Sequence, residues 1–174
     1  MTNKRNYRLL LMRHGKSDRY ARVDRDFDRP LTQRGRTDVG KIADWMCQYG
    51  FIPDRIVSSP AVRTRDTAML VIEELKLESD LLVWDKQIYE ARLDTLRTVI
   101  DRNSPTCRCL LLIGHNPGLD SLTYYLASAD PDRTESGKLM TTSALAVFDY
   151  GKSVINIGRH SALLQHLIRP KELA

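Results

Sequence analysis

Neither a disulfide framework nor a metal-binding motif is evident in this sequence of 174 residues. It has only three cysteines, an odd number, and Cys107 and Cys109 have no second pair with which to form a zinc site. His160 and His166 are six residues apart, a spacing that does not suit a shared metal ion. We therefore predict no disulfides, no metal and no cofactor.

Long apolar runs are also absent. Runs such as those at positions 9–12 and 110–113 fall far short of the roughly 18 to 20 residues of a membrane-spanning helix. Lys4, Arg5 and Arg8 precede only a short apolar run, whereas a secretory signal has an apolar segment of about 7 to 15 residues. We expect no membrane association and a cytoplasmic location.

Aromatic residues make up only 7% of the chain, and this scarcity bears on the meaning of its positive charge. The formal net charge is +5, and residues 1–40 contain 11 lysines and arginines against 5 acidic residues. Such an N-terminal excess is typical of a nucleic-acid-binding face or of a pocket for small anions. Because aromatic residues do not interleave with the basic ones, we favour the anion pocket and predict no nucleic-acid partner.

What the sequence does contain is a regular alternation of apolar strands and amphipathic helices, in a length that suits a single domain over residues 1–174. The predicted elements are strands at 7–12, 56–58, 81–84, 109–113 and 144–148, and helices that begin after Thr32, at Ser59-Pro60, near Leu93 and after Pro117. This order predicts an α/β fold with a mostly parallel sheet, helices on both faces and a site at the carboxyl ends of the strands.

The C-terminal part is less regular than the rest. Ala129 to Gly137 is predicted to be a polar loop. Ser153 to Gly158 is predicted to pair with the fifth strand as a hairpin across Tyr150-Gly151. Ser161 to Ile168 is predicted to form a terminal helix or an extended tail.

Three groups of polar residues follow three of the predicted strands. They are Arg13-His14-Gly15, Ser58-Ser59-Pro60 with Arg63, and Gly114-His115-Asn116. Because the carboxyl ends of parallel strands meet at one edge of a sheet, these groups can form one pocket. Arg63 falls in the first turn of its helix, where the helix dipole already favours an anion, whereas Arg65 faces another side and is predicted to lie on the surface. Two guanidinium groups and two imidazoles predict a phosphate site.

The same residues suggest a reaction. A neutral imidazole is a competent nucleophile toward phosphorus, and two cationic neighbours are expected to lower the pKa of His14 and keep it neutral near pH 7. Arg13, Arg63 and a protonated His115 would stabilise the charge on the phosphoryl oxygens during transfer. The pattern predicts phosphoryl transfer to His14 without a metal ion.

Arg13-His14-Gly15 together with the segment from Ser58 to Ala68 resembles the signature pair of the histidine phosphatase superfamily. Three further segments are similar to its compact SixA-type phosphohistidine phosphatase branch: Arg29-Pro30-Leu31-Thr32, Gly114-His115-Asn116-Pro117 and Thr141-Thr142-Ser143-Ala144. The resemblance spans most of residues 7–148. It implies a three-layer α/β/α sandwich of the phosphoglycerate mutase-like type and a phosphatase that works through a phosphohistidine intermediate.

The resemblance also implies roles for individual residues. His14 would be the phosphorylated nucleophile, and Arg13, Arg63 and His115 would complete the phosphate pocket. Many relatives use a carboxylic acid after the third strand to protonate the leaving group, and Glu90 occupies the matching position. Further residues that could contact the phosphate or a partner are Gly15, Lys16, Ser17 and Asn116.

The length of the segment after Glu90 bears on the substrate. Only about 20 residues separate Glu90 from the next strand, whereas mutases and sugar phosphatases of the superfamily carry longer insertions there. A short loop implies an open site and favours a protein phosphohistidine as substrate. The alternatives are a small-molecule phosphomonoesterase and a non-catalytic module that binds phosphoproteins or polyanions. The sequence does not predict an oligomeric state.

Overall fold

The computed structural model describes residues 6–173, and over that range the chain forms six strands and four α-helices. The strands are β1 (Arg8–Arg13), β2 (Arg55–Ser58), β3 (Leu82–Trp84), β4 (Cys109–Gly114), β5 (Leu145–Asp149) and β6 (Leu163–Ile168). The helices are α1 (Gln33–Gln48), α2 (Val62–Leu75), α3 (Leu93–Asn103) and α4 (Gly118–Leu126). None of the helices in this range is long and apolar enough to span a membrane. Lys4, Arg5 and Ala174, which belong to the predicted domain, lie outside the described residues.

All six strands form one sheet in the order β3-β2-β4-β1-β5-β6. The first four strands in this order are parallel, and β5 and β6 are antiparallel to their neighbours. The predicted mostly parallel sheet is therefore confirmed. The two antiparallel strands occupy one edge, so the parallel part of the sheet brings the ends of β1, β2 and β4 together.

The sheet separates two apolar cores. Along β4, Leu110 and Leu112 pack against α3 and α4, whereas Leu111 and Ile113 pack against α1 and α2. All four side chains are fully buried, as expected for a central parallel strand covered on both faces. Burying each such side chain contributes roughly 1.5 to 3 kcal/mol. This packing confirms the predicted three-layer sandwich.

Helix α1 is anchored beside the end of β1 by its cap and by a close backbone contact. The Thr32 side chain accepts a hydrogen bond from the Gly35 N–H, which confirms the predicted N-cap. A Cβ atom at Gly35 would lie 2.3 Å from Lys16 O, and one at Gly15 would lie 2.9 Å from Gly35 O. Two glycines are therefore needed where the chain leaves β1 and passes the start of α1.

Helix α2 begins later than the sequence predicts. Its N-cap is Ala61 and its first residue is Val62, so the prediction that Ser59 caps the helix is wrong. The Ser59 hydroxyl instead lies 2.9 Å from a ring nitrogen of His115. A cap residue was expected there because Ser before Pro is a common helix start, and the sequence alone does not show the competing imidazole.

The C-terminal segment also differs from its prediction. Leu163–Ile168 forms β6, an edge strand antiparallel to β5. Of the two predicted alternatives for this segment, the terminal helix is therefore wrong, and the extended conformation is observed. Ser153 to Gly158 forms no strand and is part of the connection between β5 and β6. The partner of β5 thus lies one loop further along the chain than the predicted hairpin. Tyr150 and Gly151 make backbone hydrogen bonds to Tyr7, on the β1 side of β5.

Candidate active site

The register of the parallel strands places the three polar groups side by side. Arg13 pairs with Gly114, and Ser58 pairs with Ile113. The contact continues past the strand ends, because the His14 N–H donates to Gly114 O at 3.1 Å and the Ser59 N–H donates to Ile113 O at 3.2 Å. The predicted convergence of the three segments is therefore observed.

His14 is held by two hydrogen bonds, one on each ring nitrogen. Its Nδ1 lies 2.7 Å from Gly15 O and can only donate there, because a carbonyl oxygen accepts. Its Nε2 accepts a hydrogen bond from Arg63 Nε at 3.3 Å. This network assigns the proton to Nδ1 and leaves the lone pair on Nε2, facing the guanidinium group.

The environment of His14 favours its neutral form. Burial is the largest cause and lowers the pKa of His14 from 6.5 to about 4, against the hydrogen bond to Gly15 O and with help from Arg63, Arg13 and Arg29. The predicted neutral imidazole is confirmed. The main cause of the lowered pKa is the loss of hydration on burial. The cationic neighbours suggested by the sequence contribute less.

Arg63 lies in the first turn of α2 and is buried, although it carries a charge. While Nε contacts His14, the two terminal nitrogens bind Asp26, at 2.7 Å to its carbonyl oxygen and 2.9 Å to its carboxylate. The Asp26 carboxylate also accepts hydrogen bonds from Tyr89 Oη at 3.2 Å and forms an ion pair with Arg29 at 2.7 Å. One carboxylate oxygen and the backbone carbonyl oxygen of Asp26 thus occupy the two terminal nitrogens of Arg63.

His115 shares the pocket with His14, their ring centroids being 5.2 Å apart. Burial is the largest cause and, together with His14 and Arg63, lowers the pKa of His115 from 6.5 to about 3. Burial thus opposes the expected protonation of His115. The sequence showed that cations lie near His115. It did not show that His115 is buried, with only 7% of its surface exposed.

Arg13 and Asn116 are both tied to the backbone of Met140. Arg13 donates to Met140 O at 2.9 Å through a terminal nitrogen, and the Asn116 amide donates to the same oxygen at 3.0 Å. Within residues 6–173, the buried Nε of Arg13 and the buried Nδ1 of His115 have no hydrogen-bond partner. Buried donors are rarely left unpaired, and both belong to residues of this pocket. They fit an oxyanion ligand.

The other predicted site residues lie around the pocket without contacting its histidines through their side chains. The Gly15 N–H donates to Thr67 Oγ1 at 3.0 Å. Lys16 is exposed, and Ser17 forms an isolated bridge with Leu31. Glu90 is exposed and has a left-handed backbone, with a φ of 53°. In the described part of the chain, its carboxylate makes no hydrogen bond or ion pair with a pocket residue.

Three residues of the site were not predicted as such from the sequence. They are Asp26, Thr67 and Tyr89. Ser59 belongs to one of the three polar groups predicted to form the pocket, but its hydroxyl was assigned to a helix cap and not to His115. Thr67 falls inside the segment from Ser58 to Ala68, so a signal for it existed. Asp26 lies in a charged loop whose alternating signs gave no reason to single it out.

Comparison with known proteins assigns the family. A model of the histidine phosphatase superfamily, branch 1, matches residues 9–93, which include His14 and Arg63. An uncharacterized chloroplastic protein of Arabidopsis thaliana is 30% identical over 154 residues, which is 84% of this chain and 68% of that protein. The chain belongs to the histidine phosphatase superfamily.

Solved structures narrow the assignment within the superfamily. SixA of Agrobacterium tumefaciens is 26% identical, with a TM-score of 0.77 over 95% of this chain and 99% of that one. A protein histidine phosphatase SixA complexed with tungstate has the same fold, with a TM-score of 0.78 at 22% identity over 96% of this chain and 99% of that one. The chain is thus of the SixA type with a phosphoglycerate mutase-like fold, and its family supports phosphatase activity.

Proposed function

We propose that this chain acts as a single-domain phosphatase that transfers the phosphoryl group of a protein phosphohistidine to Nε2 of His14 and then to water. The observation that carries the proposal is the state of the His14 ring. Nδ1 donates to Gly15 O, so Nε2 keeps its lone pair inside a pocket that also holds Arg13, Arg63 and His115. An imidazole in this state can attack phosphorus without first losing a proton.

The reaction then takes two displacements at phosphorus. In the first, Nε2 of His14 forms a bond to phosphorus while the phosphorus–nitrogen bond of the substrate breaks, and the leaving imidazole departs neutral when its other nitrogen already carries a proton. In the second, a water oxygen bonds to phosphorus, the bond to Nε2 breaks and one water proton passes to the phosphate. His14 is restored with its proton still on Nδ1.

Cationic and neutral donors supply the stabilisation that such a transfer needs. Negative charge is spread over the equatorial oxygens in a loose transition state, and preorganised donors lower the energy of that state. Arg13 Nε and His115 Nδ1 are buried donors, and the fork of Arg63 becomes available once phosphoryl oxygens replace the carboxylate and carbonyl oxygens of Asp26. The tungstate complex of a related SixA supports an oxyanion as the ligand.

The lowered pKa of His14 predicts an unusual pH profile. A histidine with a pKa of about 4 is neutral above that pH and loses its lone pair as the pH falls through it. We expect kcat/KM for an aryl phosphate, corrected for ionisation of the substrate, to stay level from pH 7 to about 5 and to fall only near pH 4. An acidic limb centred near 6.5 would contradict this assignment.

Glu90 is proposed as an auxiliary acid whose importance depends on the leaving group. Its carboxylate is exposed and does not bind the pocket histidines, and a phosphohistidine can depart as neutral imidazole without it. We expect Glu90→Gln to lower the turnover of a phosphohistidine protein less than about tenfold and that of an alkyl phosphate more, since general acids contribute about 10² to 10⁴. Steady-state rates on the phosphohistidine protein and the alkyl phosphate test this expectation. An equal loss of rate on both substrates would mean that Glu90 does not protonate the leaving group.

The segment after Glu90 supports a protein as substrate. Between Glu90 and β4 the chain forms α3 and one short connection, and α3 packs its apolar face on the sheet. No inserted element from this segment, which lies wholly within the described residues, covers the pocket. An uncovered pocket matters more for a phosphohistidine on a protein surface than for a free sugar phosphate, because the rest of the protein must fit beside the pocket.

The experiment that tests the proposed function compares three substrates. A phosphohistidine-carrying protein, an aryl phosphate and a set of sugar phosphates are assayed with and without EDTA. We expect the phosphohistidine protein to have the highest kcat/KM and the chelator to have no effect. Preference for sugar phosphates would favour the small-molecule phosphomonoesterase, and oxyanion binding without any turnover would favour a binding module.

A further inference from the structure

The hydroxyl of Ser59 makes a bond that its position in the sequence did not predict. Ser59 is fully buried between the end of β2 and the start of α2, and its Oγ lies 2.9 Å from Nε2 of His115. The same Oγ accepts a longer hydrogen bond from the Ala61 N–H, at 3.4 Å. Within residues 6–173, the Ser59 hydroxyl has no other hydrogen-bond partner.

These partners decide the direction of the bond to His115. A serine hydroxyl carries one hydrogen, and a fully buried one is costly to leave without an acceptor. The Ala61 N–H is a donor, so it cannot receive that hydrogen. Nε2 of His115 is the one neighbour that can, and it does so only if it carries a lone pair. In a neutral imidazole the proton then resides on Nδ1.

The ring of His115 is turned so that this proton is not used within the fold. Nδ1 is buried and unpartnered among the described residues, while the ring lies beside His14 and meets the ring of Tyr89 edge to face at 5.4 Å. Backbone bonds fix both ends of the contact, because the Ser59 N–H binds Ile113 O and the Leu119 N–H binds His115 O. The Ser59 hydroxyl and the imidazole are therefore presented to each other by the sheet and by α4.

We propose that Ser59 is a positioning residue that holds His115 as the Nδ1–H tautomer, so that this N–H can donate to a phosphoryl oxygen of the substrate or of phosphorylated His14. The proposal rests on the proposed function for its consequence, but the tautomer itself is a property of the resting protein. Without the hydroxyl, the imidazole is free to carry its proton on Nε2 and to direct a lone pair at the phosphoryl group. A lone pair there repels the oxygens that a donor would attract.

The effect on activity follows from the loss of one oriented donor. We expect Ser59→Ala to lower kcat for an aryl phosphate by about 10- to 100-fold, in the range of changes to residues that orient catalytic groups. Ser59→Thr keeps the hydroxyl and is expected to recover most of the rate. The matched control is Ser58→Ala, because Ser58 is also fully buried and its hydroxyl donates to Ser59 O and to no imidazole.

The deciding measurement is the tautomer of His115. Two-bond proton–nitrogen correlations on the ¹⁵N-labelled, ligand-free protein at pH 7 identify the protonated nitrogen, with the His115 signals assigned through His115→Gln. We expect Nδ1–H in the natural protein and in Ser58→Ala, and a shift toward Nε2–H in Ser59→Ala. Nε2–H in the natural protein overturns the proposal, whatever the variants do. An inactive natural protein with Nδ1–H contradicts the proposed function instead, since the tautomer does not depend on turnover.

Discussion

Replacing His14 with alanine is expected to reduce turnover of a phosphohistidine protein and of an aryl phosphate by at least about 10⁴-fold. The physical reason is that Nε2 of His14 is the only atom of the pocket proposed to bond to phosphorus. The remaining donors can still bind and polarise the phosphate, which leaves a residual rate. Initial rates with each substrate give the fold-change, provided that the enzyme concentration is high enough to detect the residual rate.

Two controls separate loss of chemistry from loss of fold. His160→Ala removes an exposed imidazole that binds Ala127 O at 2.7 Å, outside the pocket, and should keep the full rate. The thermal unfolding midpoint of His14→Ala should remain high enough for the variant to be folded at the assay temperature. A folded His14→Ala protein with more than about a tenth of the natural rate would mean that another group attacks phosphorus.

Replacing Arg63 with alanine is expected to lower kcat/KM by about 10³-fold, which is comparable with the loss of an oxyanion donor or an arginine that acts in phosphoryl transfer. Arg63 contributes both a donor beside the nucleophile and a fork that can bind two phosphoryl oxygens. Arg63→Lys supplies a point charge without the fork, so we expect it to recover only part of the loss. Steady-state kinetics on an aryl phosphate measure both variants.

The matched control for Arg63 lies two positions further along the same helix. Arg65 is on the exposed side of α2, where it contacts the Trp84 ring at 6.0 Å and Pro60 O at 3.4 Å. Arg65→Ala removes an identical charge from the same region and should change kcat/KM by less than about threefold, as surface changes usually do. Similar losses in the two variants would point to a general electrostatic effect of the arginines at the start of α2.

Much of the fold was predictable because its central strands are buried on both faces. The run from Cys109 to Ile113 has no polar position, which distinguishes a central parallel strand from a half-exposed one. Thr32 and Gly50 marked the ends of α1, and Gly50 has the left-handed backbone expected after a helix, with a φ of 71°. These signals depend only on residues that are close together in the sequence, so they can be read without the structure.

The errors concern features that depend on distant partners. Leu163–Ile168 is an edge strand with several half-exposed positions, so its apolar pattern does not reveal whether it pairs or stands alone. From the sequence pattern alone, the nearer segment from Ser153 to Gly158 was an equally good partner for β5. In the structure β1 lies on one side of β5 and β6 lies on the other, where the hairpin partner was expected.

The site shows the same division between local and distant signals. Arg13, His14, Arg63 and His115 could be selected because each follows a strand end that parallel pairing brings together. Asp26 could not, because its contact with Arg63 joins a charged loop to a helix 37 positions away in the sequence. The sequence also does not show that both imidazoles are buried. For that reason the lowered pKa of His14 was assigned to neighbouring charges, and the lowered pKa of His115 was not predicted.

Transient phosphorylation of His14 directly tests its role as the nucleophile. The protein is mixed with a phosphohistidine substrate, quenched under alkaline conditions within the first turnover, digested and analysed by mass spectrometry for acid-labile phosphate. We expect one phosphorylated residue, His14, and no trapped phosphate in His14→Ala. Phosphate on another residue, or turnover that releases phosphate with no covalent species at any quench time, would contradict it.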